Sequence, residues 1–280
     1  MSEMDAKTMV ARVRDLPALP QALTDLLVAL QREDVAIDQL AIRISRDQAL
    51  TAKALRLANC SFYGVAGRVN SIHDAINVLG IRSLTTALTA AAVAGSFKRP
   101  DCPGFDLDAY WRHSMACALC AQAVAQTVNL DPGLAFTAGL LHDIGRLALA
   151  AHFPAVVAPA FAYRAKLDIP MRDAERHVLG FDHTEVGALV AQHWHFAGTV
   201  VDAIRCHHEP LDSIKATLTD VVHVADNIVH ALDLANVTDE LVPPLSLEAW
   251  TRLALTESQC MRIFERTEVE LDELCDALAL

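Results

Sequence analysis

Five stretches of the chain carry imidazole or carboxylate groups in a setting that looks helical. They are His113 in YWRHSMACA, His142-Asp143 in AFTAGLLHDIGRLALA, His183 in GFDHTEVGALVAQHW, His207-His208 in AIRCHHEP and Asp226 in VVHVADNIVH. Imidazole and carboxylate are the ligand types that suit Zn, Mn, Fe or Ni. The His-Asp dipeptide carries no weight alone: 12 His and 23 Asp in 280 residues give about one by composition, and the chain has two, His73-Asp74 and His142-Asp143. Order and setting carry the signal. AFTAGLLHDIGRLALA is Ala- and Leu-rich and reads as a buried helix, where an ionised carboxylate without a partner is costly. Adjacent helical residues point about 100° apart, so His142 and Asp143 can reach one centre, with Arg146 a turn later on the same side.

Those residues need helices to hold them, and the composition supplies helices. Hydrophobic residues make up 53% of the chain but aromatics only 5%, and this Ala/Leu-driven mixture favours helix over strand. Pro20 stands in a first turn at the head of QALTDLLVALQ, where proline is tolerated. Helices are predicted around 35–45, 48–59, 71–79, 81–96, 107–128 and 132–151, the last opened by Asp131 and Pro132. Asp182 and Glu185 form a capping-box-like pair at the head of the next, and others are predicted around 199–208, 217–233, 246–255 and 257–278. KRPDCPGFD, residues 98–106, is the clearest linker. The expected organisation is an N-terminal helical block at 1–100, a helical core at 101–240 and C-terminal helices at 241–280. No phosphate-binding Gly-rich loop, strand alternation, heptad run or internal repeat occurs, and the fold class is all-α.

Charge and cysteines narrow the function. A net charge of −12 without a Lys/Arg block disfavours nucleic acid as a partner. The N-terminus is too charged for a signal peptide, and the most apolar stretches, 83–97 and 134–163, are interrupted by polar residues, so no membrane span is expected. Seven cysteines without an export signal point to reduced thiols in the cytoplasm. Cys117 and Cys120 form a Cys-x-x-Cys with no second pair at zinc-ribbon spacing, and read as small buried side chains.

Several of the histidines also have a structural reading. His73-Asp74 fits a helix start. His223 and His230 share a helix face with Asp226 and read as structural. His193 and His195 flank Trp194 near a helix end, and His152 and His177 have no partner that the sequence identifies. His142 and Asp143 themselves also fit a buried neutral network, and Arg146 a simple ion pair.

The ordered set resembles the HD superfamily of metal-dependent phosphohydrolases, and more closely the HDOD family, HD-related output domains of bacterial signalling proteins. LPALPQAL, DQALTAKALRLANCSFYG and NSIHDAINVLGIRSL carry the resemblance in the first block, and the first four stretches above, YWRHSMACA to AIRCHHEP, carry it in the second, over roughly residues 12 to 230. It implies an HD-like helical core preceded by a smaller helical block. It also implies one metal site built by His113, His142, Asp143 and Asp226, with Asp143 bridging to a second ion held by His183, His207 and His208. The implied cofactor is one or two divalent ions (Fe, Mn, Zn or Ni), or none where the site is only inherited. A metal-bridged hydroxide would attack phosphorus, and Arg146, standing where relatives of the HDIGK type have lysine, would bind a phosphate oxygen.

Two functions follow from the resemblance. The favoured one is a regulatory HDOD module acting through contacts with a partner protein such as a response regulator or a cyclic-nucleotide enzyme, or as a homodimer. The alternative is a metal-dependent phosphohydrolase of nucleotides or phosphodiesters. HDOD proteins are regarded as regulatory, and HHEPLDSIKATL lacks the Gly-Tyr-Pro loop of the related cyclic-di-nucleotide phosphodiesterases. On the other side, every implied ligand position is filled.

Overall fold

The computed structural model describes residues 18–31, 41–42, 44–59, 69–236 and 241–278. Among them there is no strand, and one contiguous cluster of buried apolar side chains runs from Leu19 to Leu274. The leading helices are α1 (Gln21–Gln31), α2 (Gln48–Ala58) and α3 (Ile72–Ser96). Of the helix expected over 35–45, residues 41, 42, 44 and 45 are described and helical. The SFYG part of the N-terminal pattern lies outside the described residues.

Ser71 caps α3, its hydroxyl accepting from the Asp74 amide at 3.0 Å. Gly80 then interrupts α3 with φ 79° and ψ 160°, a backbone region that glycine enters without steric cost. The two helices expected on either side of it are therefore two arms of one kinked element.

The second half builds the site. It comprises α4 (Leu107–Thr127), α5 (Pro132–Leu141), α6 (Ile144–His152), α7 (Pro154–Leu167), α8 (Met171–Leu179), α9 (His183–His193), α10 (Gly198–Cys206), α11 (Leu218–Ala231), α12 (Leu247–Leu253) and α13 (Glu257–Leu278). Helix α4 is the central rod, buried along most of its length and packed against α5, α11 and α13. Its N-cap Asp106 accepts from the amides of Asp108 and Ala109. Asp131 caps α5 in the same way, with Pro132 in the first turn.

Two expectations need correction. The helix expected over 132–151 is broken: α5 ends at Leu141, α6 begins at Ile144, and Asp143 stands between them with φ −101° and ψ 11°. His142 and Asp143 therefore sit on a helix–helix junction, which turns both side chains toward the same interior. Helices α7 and α8 were not anticipated. Proline opens α7 at Pro154 and recurs inside it at Pro159, while α8 buries little more than Met171, Ala174 and Glu175.

By length and apolar composition, Ile72–Val93 and Pro132–His152 could each cross a membrane, but most of each stretch is buried within the protein.

Candidate metal centre

Helix packing brings the sequence-predicted residues together. His113 projects from α4, His142 and Asp143 from the α5–α6 junction, His183 from the start of α9, His207 and His208 from the end of α10, and Asp226 from α11. Close approach of α6 and α9 depends on Gly145. A Cβ there would lie 2.0 Å from the His183 carbonyl oxygen and 2.7 Å from the Gly187 nitrogen. No other residue type permits that contact, and it sets His183 beside Asp143.

The side chains form two groups, within each of which the potential ligand atoms all lie within 4.8 Å of one another: His113, Cys117, His142 and Asp226 in the first, and Asp143, His183, His207 and His208 in the second. In the first, His113 Nε2 is 3.1 Å from Asp226 Oδ1 and 3.2 Å from His142 Nε2. In the second, Asp143 Oδ1 is 3.1 Å from His183 Nε2 and 3.7 Å from His207 Nε2, and His183 Nε2 is 3.1 Å from His208 Nε2. The groups adjoin through His142 Nε2, 3.7 Å from Asp143 Oδ2.

The outer nitrogens explain why lone pairs converge. His142 Nδ1 donates to the Gly139 carbonyl at 2.7 Å, His207 Nδ1 to the Ile204 carbonyl at 2.8 Å, and His183 Nδ1 to Glu175 Oε2 at 2.5 Å. Each bond fixes the proton on Nδ1 and aims the Nε2 lone pair inward, the arrangement typical of metal-ligating histidine. Nitrogen lone pairs thus face one another and face two buried carboxylates. Asp143 Oδ1 and His207 Nε2 are buried and make no hydrogen bond among the described residues. Such a cluster requires positive charge at its centre, and the donor set fits divalent transition metals.

The electrostatics express the same demand. Burial opposes ionisation of Asp143 and Asp226, yet both are held well below the usual carboxylate range, Asp143 by Arg146, His142 and His183, and Asp226 by His230, His113 and His142. Burial also opposes charge on His183, but the carboxylates of Glu175 and Asp143 lift it to about 9. His207, buried and beside His142 and His183, is pushed down to about 3 and presents a neutral ring. The neighbouring carboxylates likewise outweigh burial at His142, whose pKa is raised above the usual imidazole value by Asp143 and Asp226.

Arg146 donates to Asp143 Oδ2 at 2.8 Å, so the ion-pair reading holds for one face of the guanidinium. It also lines a cavity of about 420 Å³ together with His113, Asp143, His208 and His230. Phe105, Tyr110 and Phe161 contribute an aromatic wall.

Three neighbours of the site are not among the expected ligands; of these His230 alone is expected beside Asp226, as a structural residue. Glu175 on α8 is fully buried and accepts from both the backbone amide and the ring of His183. Cys117, one turn after His113, belongs to the first group. His230 Nε2 lies 3.2 Å from Asp226 Oδ1. The spacing of His113 to Cys117, four residues on a helix like that of Asp226 to His230, is the signal that could have found the thiol. Glu175 offered none, because its helix was not recognised. His223 has a structural role: it donates to the His207 carbonyl at 2.6 Å and accepts from the Ser246 amide at 2.8 Å. His73 and His195 are exposed, His193 is half-buried, and His177 stacks on Tyr163.

Comparison with known proteins agrees with this architecture. The model of the HDOD domain matches residues 16–210. A crystal structure of a candidate phosphohydrolase from Shewanella amazonensis SB2B is 30% identical, superposes with a TM-score of 0.70 and covers 95% of this chain and 100% of its own. An uncharacterised protein of Treponema pallidum is 27% identical over 205 residues, 72% of this chain, and ribonuclease Y of Clostridium tetani is 33% identical over 119 residues, 42% of this chain. The chain spans only 39% and 17%, respectively, of the length of these two relatives. With its helical core and its ordered His/Asp set, the chain belongs to the HDOD family and has the HD-related phosphohydrolase fold.

Proposed function

We propose that this HDOD protein is a metal-dependent phosphohydrolase acting on a phosphodiester or nucleotide in a signalling setting. One observation carries the reading: two adjoining groups of inward-facing imidazole and carboxylate lone pairs open onto a cavity edged by Arg146. Divalent ions held by these groups would supply Lewis-acid stabilisation of phosphoryl oxygens and a nucleophile at neutral pH. The chain's own residues do the rest. Glu175 and the Gly139 and Ile204 carbonyls hold the three imidazoles in one tautomer and orientation. Arg146 keeps Asp143 ionised and offers guanidinium N–H groups to a phosphate in the cavity. The likeness to ribonuclease Y over 119 residues supports phosphodiesters as the substrate class. The test is a panel of phosphoesters given to metal-replete protein and to Asp143→Ala. Turnover by the former and none by the variant is expected; a replete protein that leaves the whole panel intact rejects hydrolysis.

A second reading, a regulatory module working through protein contacts, draws on the exposed apolar side chains Leu211, Ile214 and Leu247, which are 69%, 98% and 70% exposed. Isolated exposed leucines are ordinary, so this reading ranks second. Self-association or a partner captured from native extract, lost when these residues are changed to Ser, would support it.

A further inference from the structure

The first group contains a thiol that the resemblance does not supply. Helix α4 presents His113 and Cys117 one turn apart on one face. Cys117 is fully buried, with Sγ 3.4 Å from His113 Nε2 and 3.9 Å from Asp226 Oδ1. Adding the distances His113 Nε2–Asp226 Oδ1, 3.1 Å, His113 Nε2–His142 Nε2, 3.2 Å, and His142 Nε2–Asp226 Oδ1, 3.6 Å, gives five edges of a tetrahedron. A tetrahedral ion with ligand bonds of ~2.0–2.3 Å has edges of about 3.3–3.8 Å. The observed edges bracket that range. Asp143, the residue expected to complete this site, borders it through Oδ2, 3.7 Å from His142 Nε2, but that oxygen also pairs with Arg146 at 2.8 Å and its Oδ1 faces the second group.

We infer that Cys117 is a thiolate ligand and that the first group is a site selective for zinc, built from one thiolate, two imidazoles and one carboxylate and distinct from the second, oxygen- and nitrogen-only group. This rests on the metal-centre reading above and adds a difference in metal selectivity between the two groups. Thiolate selects zinc over harder ions such as Mn, whereas imidazole and carboxylate alone also suit Mn, Fe and Ni. The ion beside Cys117 would therefore be zinc and tightly held, and the ion held by Asp143, His183, His207 and His208 would be less selectively bound and more readily exchanged. Cys120, also buried and one turn further along α4, belongs to neither group and serves as the control.

The test is cobalt(II) reconstitution of wild type, Cys117→Ser, Cys117→Ala and Cys120→Ser, read in the near-ultraviolet and visible. The inference expects a thiolate-to-cobalt charge-transfer band in wild type and Cys120→Ser and none in either Cys117 variant, while visible cobalt bands from the second group persist. Zinc retention in the Cys117 variants should fall by at least the ~10–100-fold that loss of an outer-shell partner costs. X-ray absorption on zinc-loaded wild type, which needs no variant to fold, should show one sulfur at ~2.3 Å. Bound cobalt with no thiolate band, or zinc with no sulfur neighbour, overturns the role of Cys117 and leaves the metal centre standing. Protein that takes up neither metal overturns both.

Discussion

Gly145→Ala tests how tightly the fold and the metal centre are joined. An added Cβ would sit 2.0 Å from the His183 carbonyl oxygen and 2.7 Å from the Gly187 nitrogen. Both are backbone atoms, so no side-chain rotation relieves the clash, and α6 and α9 must separate by about 1 Å. Overpacking of this kind costs ~1–3 kcal/mol, and the better helix propensity of Ala returns at most ~1 kcal/mol. The net cost is then up to ~3 kcal/mol, and at ~2–4 °C per kcal/mol for a chain of this size Tm should fall by up to roughly 12 °C. The same displacement stretches the 3.1 Å contact between Asp143 Oδ1 and His183 Nε2, far beyond the ~0.2 Å tolerance of a coordination sphere. The second ion should be lost and the first retained. Gly180→Ala is the matched control: Gly180 has φ 79° and nothing within 4 Å of an added Cβ, so it destabilises through backbone strain without moving α6 against α9. Thermal melts by circular dichroism, paired with metal stoichiometry after dialysis, read both effects. A Gly145→Ala protein with wild-type Tm and full metal content would refute the reasoning.

Further predictions follow from the same geometry. Glu175→Gln keeps a neutral acceptor near His183 but removes the charge that fixes its ring, so affinity for the second ion should drop ~10–100-fold with the first unchanged; competition with a chromophoric chelator measures it. Asp182, the N-cap of α9, is opposed by burial but held well below the usual carboxylate range by Thr184, His183 and Arg172. Its folded pKa is depressed, so the stability it contributes is present above the unfolded value of ~3.9 and is lost as pH falls below it toward the folded value. Asp182→Asn should therefore lower the melting temperature at neutral pH and flatten its fall between about pH 4 and 2. His223→Phe removes the link between the His207 carbonyl and the Ser246 amide and should cost about 1–3 kcal/mol in denaturant unfolding.

Much of this architecture was legible in the chain because its punctuation is local. Asp131-Pro132, Asp182 and Gly80 each act through their own backbone, and the helix starts and the kink that they set lie within a residue or two of expectation. Helix 257–278 was read to its observed bounds. What escaped depends on packing. Helix α8, MRDAERHVL, is polar and buries few side chains, so apolar periodicity had little to register, and Glu175 was lost with it. Its burial is intelligible only once His183 is known to stand opposite. The break between α5 and α6 carries neither Gly nor Pro at His142-Asp143, so no residue type announced it. Cys117 looked like a small core side chain, and it is one; only the convergence of α4, α5 and α11 shows what it faces.

The most direct test of the metal centre is elemental analysis of protein purified without chelator or His-tag, alongside the His142→Ala, Asp143→Ala double variant checked for intact helix content. The double variant removes one ligand from each group. Two transition-metal equivalents in wild type, with loss from both positions in the variant, is the predicted result. Wild-type protein that remains metal-free after reconstitution would contradict the account.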